Sequence, residues 1–177
     1  MFESIKRFFR KKALKKYAST VPTGILPLKD IKTAVALIDV EDQSFDSCKE
    51  SILSFYRENG IKGEIFFLDF RKISSNERLI TSITNTLLKK DFSWFGRLCD
   101  EKTALLNASN PDVFISLVSS DGFPLEFIAS VSKARFKIGR TQLPGGVFDL
   151  VISEPEGTSL PQTDIFAGVK KYLKVIG

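Results

Sequence analysis

The chain has 177 residues, 43% of them hydrophobic with 16 Phe, no histidine and a formal charge of +5. That length and apolar content suit one domain with a core of its own. The missing histidine removes Ser-His-Asp and Cys-His chemistry and most zinc sites. Seven Lys and Arg against Glu3 give residues 1–20 a charge of +6, so residues 21–177 carry −1.

Residues 1–19 contain no Gly or Pro, which predicts a helix. Phe2, Ile5, Phe8, Phe9, Ala13 and Tyr17 share one broad face, with Lys6, Lys12 and Lys16 intruding. A basic amphipathic helix of this kind suits an anionic membrane. Phe2, Ile5, Phe8 and Phe9 would insert, and Lys6, Arg10, Lys12 and Lys16 would meet headgroups. It equally suits docking on its own domain or on a protein partner. Nucleic acid is disfavoured, because no basic surface continues the arm into the rest of the chain. Charges interrupt every apolar run, so neither a signal peptide nor a membrane span is expected. The expected organisation is a basic arm over residues 1–20, a linker over 21–30 and a Rossmann-like α/β domain over 31–177.

Residues 31–40 read as a first core strand, continuously apolar over 34–38, with Asp39, Glu41 and Asp42 at its carboxyl end. Ser44 is a plausible N-cap for a helix whose stripe is Phe45, Cys48, Ile52 and Phe55 or Tyr56, stopped at Asn59-Gly60. A strand over 64–70 completes a βαβ unit. Residues 75–90 are ambiguous. Leu79, Ile83 and Leu87 have helical spacing, while Thr81, Thr84 and Thr86 favour a strand. Residues 91–98 read as a loop or short edge strand packed by Phe92, Trp94 and Phe95, and 102–109 as a short helix. Those rings suit the core better than a stacking platform. Cys48 and Cys99 lack metal spacing and suit core thiols in a reducing compartment.

A second βαβ unit spans 113–139, with a strand at 113–118, a turn at 119–122, Pro124 in the first helical turn, and a strand closed by Gly139. Lys133, Arg135, Lys137 and Arg140 form a basic row, expected to be solvated near a sheet edge, with anion binding as the alternative. A Pro144-Gly145-Gly146 turn, a strand over 147–153, a polar loop and a closing helix over 164–175 finish the chain.

In an open parallel sheet, ligands bind beyond the carboxyl ends of the strands, where strand order reverses. The candidate crevice residues are therefore Asp39, Glu41, Asp42 and Ser44 after the first strand, Ser119, Ser120 and Asp121 after the 113–118 strand, and Arg140. Their chemistry suits a polar small molecule or Mg²⁺; loops and N-caps also favour these residue types. Neither G-x-G-x-x-G nor a P-loop is present, and three acids at the first turn would repel a pyrophosphate. No cofactor is expected.

The run DVFISL…FPLEFIASVSKARFKIG over 112–139, together with Trp94-Phe95-Gly96, resembles a family of small proteins of unassigned function from Bacteroidetes-type bacteria, which also begin with a lysine-rich arm. More distantly, Asp112, Ile115 and Leu117 followed by Ala134, Ile138 and Gly139 look like the N-terminal Rossmann-like domain of glycosyltransferase family 9, the lipopolysaccharide heptosyltransferases. That likeness implies a sheet of about six mostly parallel strands in the order 3-2-1-4-5-6. In those enzymes this domain receives the acceptor and a second domain binds the nucleotide sugar; the donor-binding residues have no counterpart in residues 1–177. The expected function is thus a non-enzymatic binding or adaptor protein, cytoplasmic and resting on the inner membrane through its arm. The alternative is a small-molecule-binding or degenerate transferase-like domain that takes a nucleotide, sugar or Mg²⁺ in the crevice.

Overall fold

The long apolar runs become the centre of a sheet. In the structure, a computed structural model describing residues 1–72 and 82–176, six parallel strands take the order β3-β2-β1-β4-β5-β6. They are β1 (Thr33–Asp39), β2 (Lys62–Asp69), β3 (Thr86–Leu88), β4 (Val113–Ser116), β5 (Phe136–Gly139) and β6 (Leu150–Val151). The strand order matches the one implied by the transferase likeness. Val35 to Ile38 and Val113 to Ile115 are buried in β1 and β4, as strands covered on both faces must be.

Helices cover each face. On one side α2 (Phe45–Glu58) and α5 (Gln162–Val175) pack together over a layer that includes Ile38, Ile52, Phe55 and Phe166. On the other, α4 (Phe123–Val131), α3 (Asp100–Asn107) and the arm helix α1 (Phe2–Tyr17) enclose Leu37, Phe66, Leu87, Phe114 and Phe127. Gly139 is dictated by packing. A Cβ there would lie 2.2 Å from the Phe148 ring.

The arm docks on its own domain. Ala13 is buried against α4's layer, Tyr17 packs edge-on to Phe127, and the Ser19 amide donates to the Ser130 carbonyl at 2.8 Å. The stripe that docks differs from the broad apolar face of the sequence. Ala13, Leu14 and Tyr17 turn inward with Arg10, whereas Phe2, Ile5 and Phe8 stay exposed. A helical wheel shows which residues share a face but not where a docked neighbour ends.

Other expectations shift. Within the ambiguous 75–90 segment, Leu79 and Thr81 lie outside the described residues, Ile83 is exposed, and among the described residues Thr86–Leu88 forms a strand paired with β2. The expected 147–153 strand shrinks to Leu150–Val151, and at its start the Asp149 amide donates to the Lys137 carbonyl while the Asp149 carboxylate, in place of a backbone carbonyl, accepts the Lys137 amide. Only half of the basic row is solvated, with Lys133 and Arg135 exposed. Lys137 is buried and donates to the Ala129 carbonyl at the end of α4, Arg140 is buried, and Arg135 pairs with Asp112. These residues sit on β5 or just beside it, and β6 covers β5, so the row never reaches a free edge. Trp94, expected in the core, is 53% exposed.

Candidate functional site

Two surfaces gather the chemistry. The first is the crevice where β1 and β4 part, the point at which strand order reverses. A hollow of about 190 Å³ opens there, with Asp39, Glu41, Ser119 and Ser120 on its polar side and Leu68, Val118, Leu125 and Ile128 among its apolar walls. Gln162, fully buried at the start of α5, grips the end of β1 from behind. Its Oε1 accepts the Asp39 amide at 3.0 Å and its Nε2 donates to the Asp39 carbonyl at 2.9 Å. The Asp39 carboxylate itself accepts only the Glu41 amide, at 2.9 Å, and meets no cation among the described residues. Burial holds its pKa above the usual carboxylate range. The Glu41 amide works against that rise, and the charges of Glu41, Asp42 and Asp69 add to it.

The eight crevice residues named from sequence do not all converge. Asp39, Glu41, Ser119 and Ser120 line one hollow. Asp42 and Ser44 turn towards the other helix pair. One Asp42 oxygen accepts the Ser44 amide and hydroxyl, the other accepts the Gln162 amide, and Ser44 Oγ accepts the Thr163 amide. They clamp the start of α2 to the start of α5. Asp121 lines a different hollow, beside Arg7, Arg10 and Lys11. Arg140 spans the Leu117 and Leu160 carbonyls and the Glu154 carboxylate. Among the described residues no group of carboxylates or thiols is arranged to hold a metal.

The second surface is built by α1 and the loop at 92–98. Arg10 donates from Nε to the Phe95 carbonyl at 2.8 Å and lies over the Phe123 ring, while Arg97 lies over Tyr17. These contacts hold the helix so that Phe2 and Phe9 touch Trp94, each with ring centroids 5.6 Å apart. Phe2 is 61% exposed, Phe8 62% and Ile5 42%. Together with Trp94 they form an apolar ridge rimmed by Arg7, Lys11, Lys12, Lys15 and Lys16. Of the residues expected to meet a membrane, Phe2, Ile5, Phe8, Phe9 and Lys12 are exposed with Lys16. Lys6 lies over the Phe2 ring, and Arg10 is half-buried.

A family model described as "Family of unknown function (DUF6913)" matches residues 4–176. The chain belongs to this family. No curated protein and no solved structure matches it. The DUF6913 match begins inside α1 and ends beyond the last turn of α5, so the arm falls within the same family unit as the sheet. No helix among the described residues is long and apolar enough to cross a membrane.

Sequence reasoning missed Gln162 and Lys89 in this DUF6913 member. Gln162 follows Pro161 at a helix start and gave no sign of its two bonds to Asp39. Lys89 was detectable. It stands with Lys90 immediately before the Phe92-Trp94-Phe95 cluster, a basic pair beside exposed aromatic surface.

Proposed function

We propose that this protein is a non-enzymatic adaptor that rests on an anionic membrane surface through α1 and Trp94. One observation carries the reading. Phe2, Ile5, Phe8 and Trp94 form a single exposed apolar ridge surrounded by the chain's densest positive charge. Burying such rings in a bilayer interface gains about 25 cal/mol per Å² of apolar area, and each flanking Lys or Arg adds about 1 kcal/mol near anionic lipid. Trp at the headgroup level is a usual interfacial anchor. Lipid fits better than nucleic acid because the ridge includes aliphatic Ile5 and the domain behind it is near neutral. The free thiols of Cys48 and Cys99 and the likeness to Bacteroidetes-type proteins support a bacterial cytoplasmic setting. Co-sedimentation with phosphatidylglycerol-containing vesicles tests it. Binding should weaken with salt and with loss of residues 1–20, and equal pelleting of full-length and truncated protein would refute it.

A second reading rests on Asp39. An unneutralised carboxylate facing a half-apolar hollow suits a small ligand that brings hydrogen-bond donors and a flat apolar face, such as a sugar or nucleoside. A degenerate transferase-like domain would use the same crevice for an acceptor's hydroxyl groups. Thermal melts against a sugar and nucleoside panel test this, with Asp39→Asn as control. A ligand that stabilises only the wild type supports it, and one that stabilises both equally points elsewhere.

A further inference from the structure

The apolar ridge has a polar counterpart at its base. A hollow of about 330 Å³ opens beside Trp94, with Arg10, Lys89, Ser93 and Trp94 supplying its polar groups. That volume lies at the lower end of the roughly 300–1,000 Å³ typical of small-molecule sites. Its donors are unspent. Arg10 uses Nε on the Phe95 carbonyl, and its two terminal nitrogens meet no acceptor among the described residues. Lys89 Nζ is exposed and unpaired among them, and Trp94 Nε1 makes no hydrogen bond there. Ser93 Oγ accepts the Arg97 amide, which leaves its own hydrogen free to donate.

Among the described residues no carboxylate lines this hollow. The nearest acid in sequence, Asp91, is turned back onto the Leu88 amide at 2.8 Å. Asp121 and Glu126 belong to the hollow on the far side of Arg10. Two basic side chains, a tryptophan and a serine therefore line one space, while Glu126 faces the Arg10 charge from the hollow on its other side. A guanidinium held in place by a carbonyl and an aromatic face is pre-organised for the forked contact that phosphate oxygens make.

We infer that this hollow holds the phosphate of an anionic phospholipid headgroup, with Arg10 and Lys89 as its charge partners and Trp94 and Ser93 as donors. The inference rests on the lipid docking proposed above, and it deepens that reading. The ridge supplies insertion, and the hollow supplies recognition of the phosphate next to it. Lipid is favoured over a free phosphate ester because Trp94 is shared. It lines the hollow, and its ring contacts Phe2 and Phe9 of the ridge. The hollow also shares Phe70 and Pro124 with the crevice that holds Asp39, so a docked headgroup would sit beside the mouth of that crevice.

The test compares Lys89→Gln with Lys15→Gln in co-sedimentation with phosphatidylcholine–phosphatidylglycerol vesicles. Each removes one exposed positive charge, but only Lys89 lines the hollow. Lys89→Gln should weaken partitioning about tenfold or more, and Lys15→Gln about fivefold or less. At about 0.5 M salt the Lys15→Gln effect should vanish while that of Lys89→Gln persists. Equal losses at both salt concentrations would overturn the phosphate site and leave only a charged, apolar docking face. A wild-type protein that fails to pellet would instead refute lipid docking itself. If sn-glycerol 3-phosphate raised the melting temperature in a Lys89-dependent way without vesicle binding, the hollow would belong to a free phosphate ester, and the lipid assignment would fall.

Discussion

Arg10 Nε donates to the Phe95 carbonyl oxygen at 2.8 Å, across 85 residues of sequence, and fixes the arm to the loop that carries Trp94. The same guanidinium lies 5.1 Å from the centroid of Phe123 in α4. One side chain thus joins helix, loop and domain, and sets the pose in which Phe2 and Trp94 meet.

Replacing Arg10 should therefore loosen the arm before it unfolds the sheet. A charge-assisted bond to a carbonyl contributes about 1.5–3 kcal/mol and a cation–π contact about 0.5–1 kcal/mol. Arg10→Met should lower unfolding free energy by about 1–2 kcal/mol, since Met retains part of the packing. Amide exchange should accelerate through α1 while β1 and β4 remain protected. Unchanged exchange in α1 would show that Ala13 and Tyr17 alone hold the arm.

Lys137 gives the fold a pH dependence on the alkaline side. Its burial against α4 lowers its pKa to about 8, partly opposed by Asp149. In the window between about pH 8 and the unfolded value near 10.4, the unfolded chain binds the extra proton, so stability rises with pH. The gain should be on the order of 1–2 kcal/mol, solvent screening allowed for. Burial raises the pKa of Tyr56, which reverses the trend only when unfolded tyrosine ionises near pH 10. Urea midpoints measured from pH 7.5 to 9.5 check the sign, and Lys137→Met should flatten the rise.

The reach of the sequence was uneven for physical reasons. β1, α2 and the β4–α4–β5 unit were legible because continuous apolar runs and a 3.6-residue stripe leave few alternatives. β3 and β6 are short edge strands whose pairing depends on neighbours, and local propensity could not set their limits. Within the basic row Lys137 and Arg140 were misplaced, because they find carbonyl acceptors that only the tertiary fold supplies. At the crevice, Asp39 and Ser120 sit where strand-end reasoning puts them. Asp42 was diverted by Gln162, a partner 120 residues away.

The Asp39 carboxylate should cost the fold something. Its pKa is raised by burial, so the charged form is disfavoured in the folded state, and stability falls as pH rises through its titration. Asp39→Asn keeps an oxygen for the Glu41 amide and removes the charge. It should raise the melting temperature at pH 7 while abolishing any ligand effect in the crevice. A lower melting temperature would mean that the carboxylate has a stabilising partner in solution.

The two thiols should differ in reactivity. Cys48 is fully buried and its pKa is pushed up to about 12, chiefly by burial and then by Asp42. Cys99 is half-buried. A thiol reagent at pH 8 should modify at most one cysteine in the native protein and both after unfolding. Fast modification of Cys48 would show that α2 opens readily from α5.

Trp94 is the chain's single tryptophan, so its emission reports directly on the ridge. The decisive measurement is fluorescence of the full chain titrated with phosphatidylglycerol vesicles whose acyl chains are brominated. Docking through α1 and Trp94 predicts a blue shift and quenching, both lost in Phe2→Ser/Phe8→Ser protein. Vesicle-bound protein with unshifted, unquenched emission would contradict it and turn attention to another face.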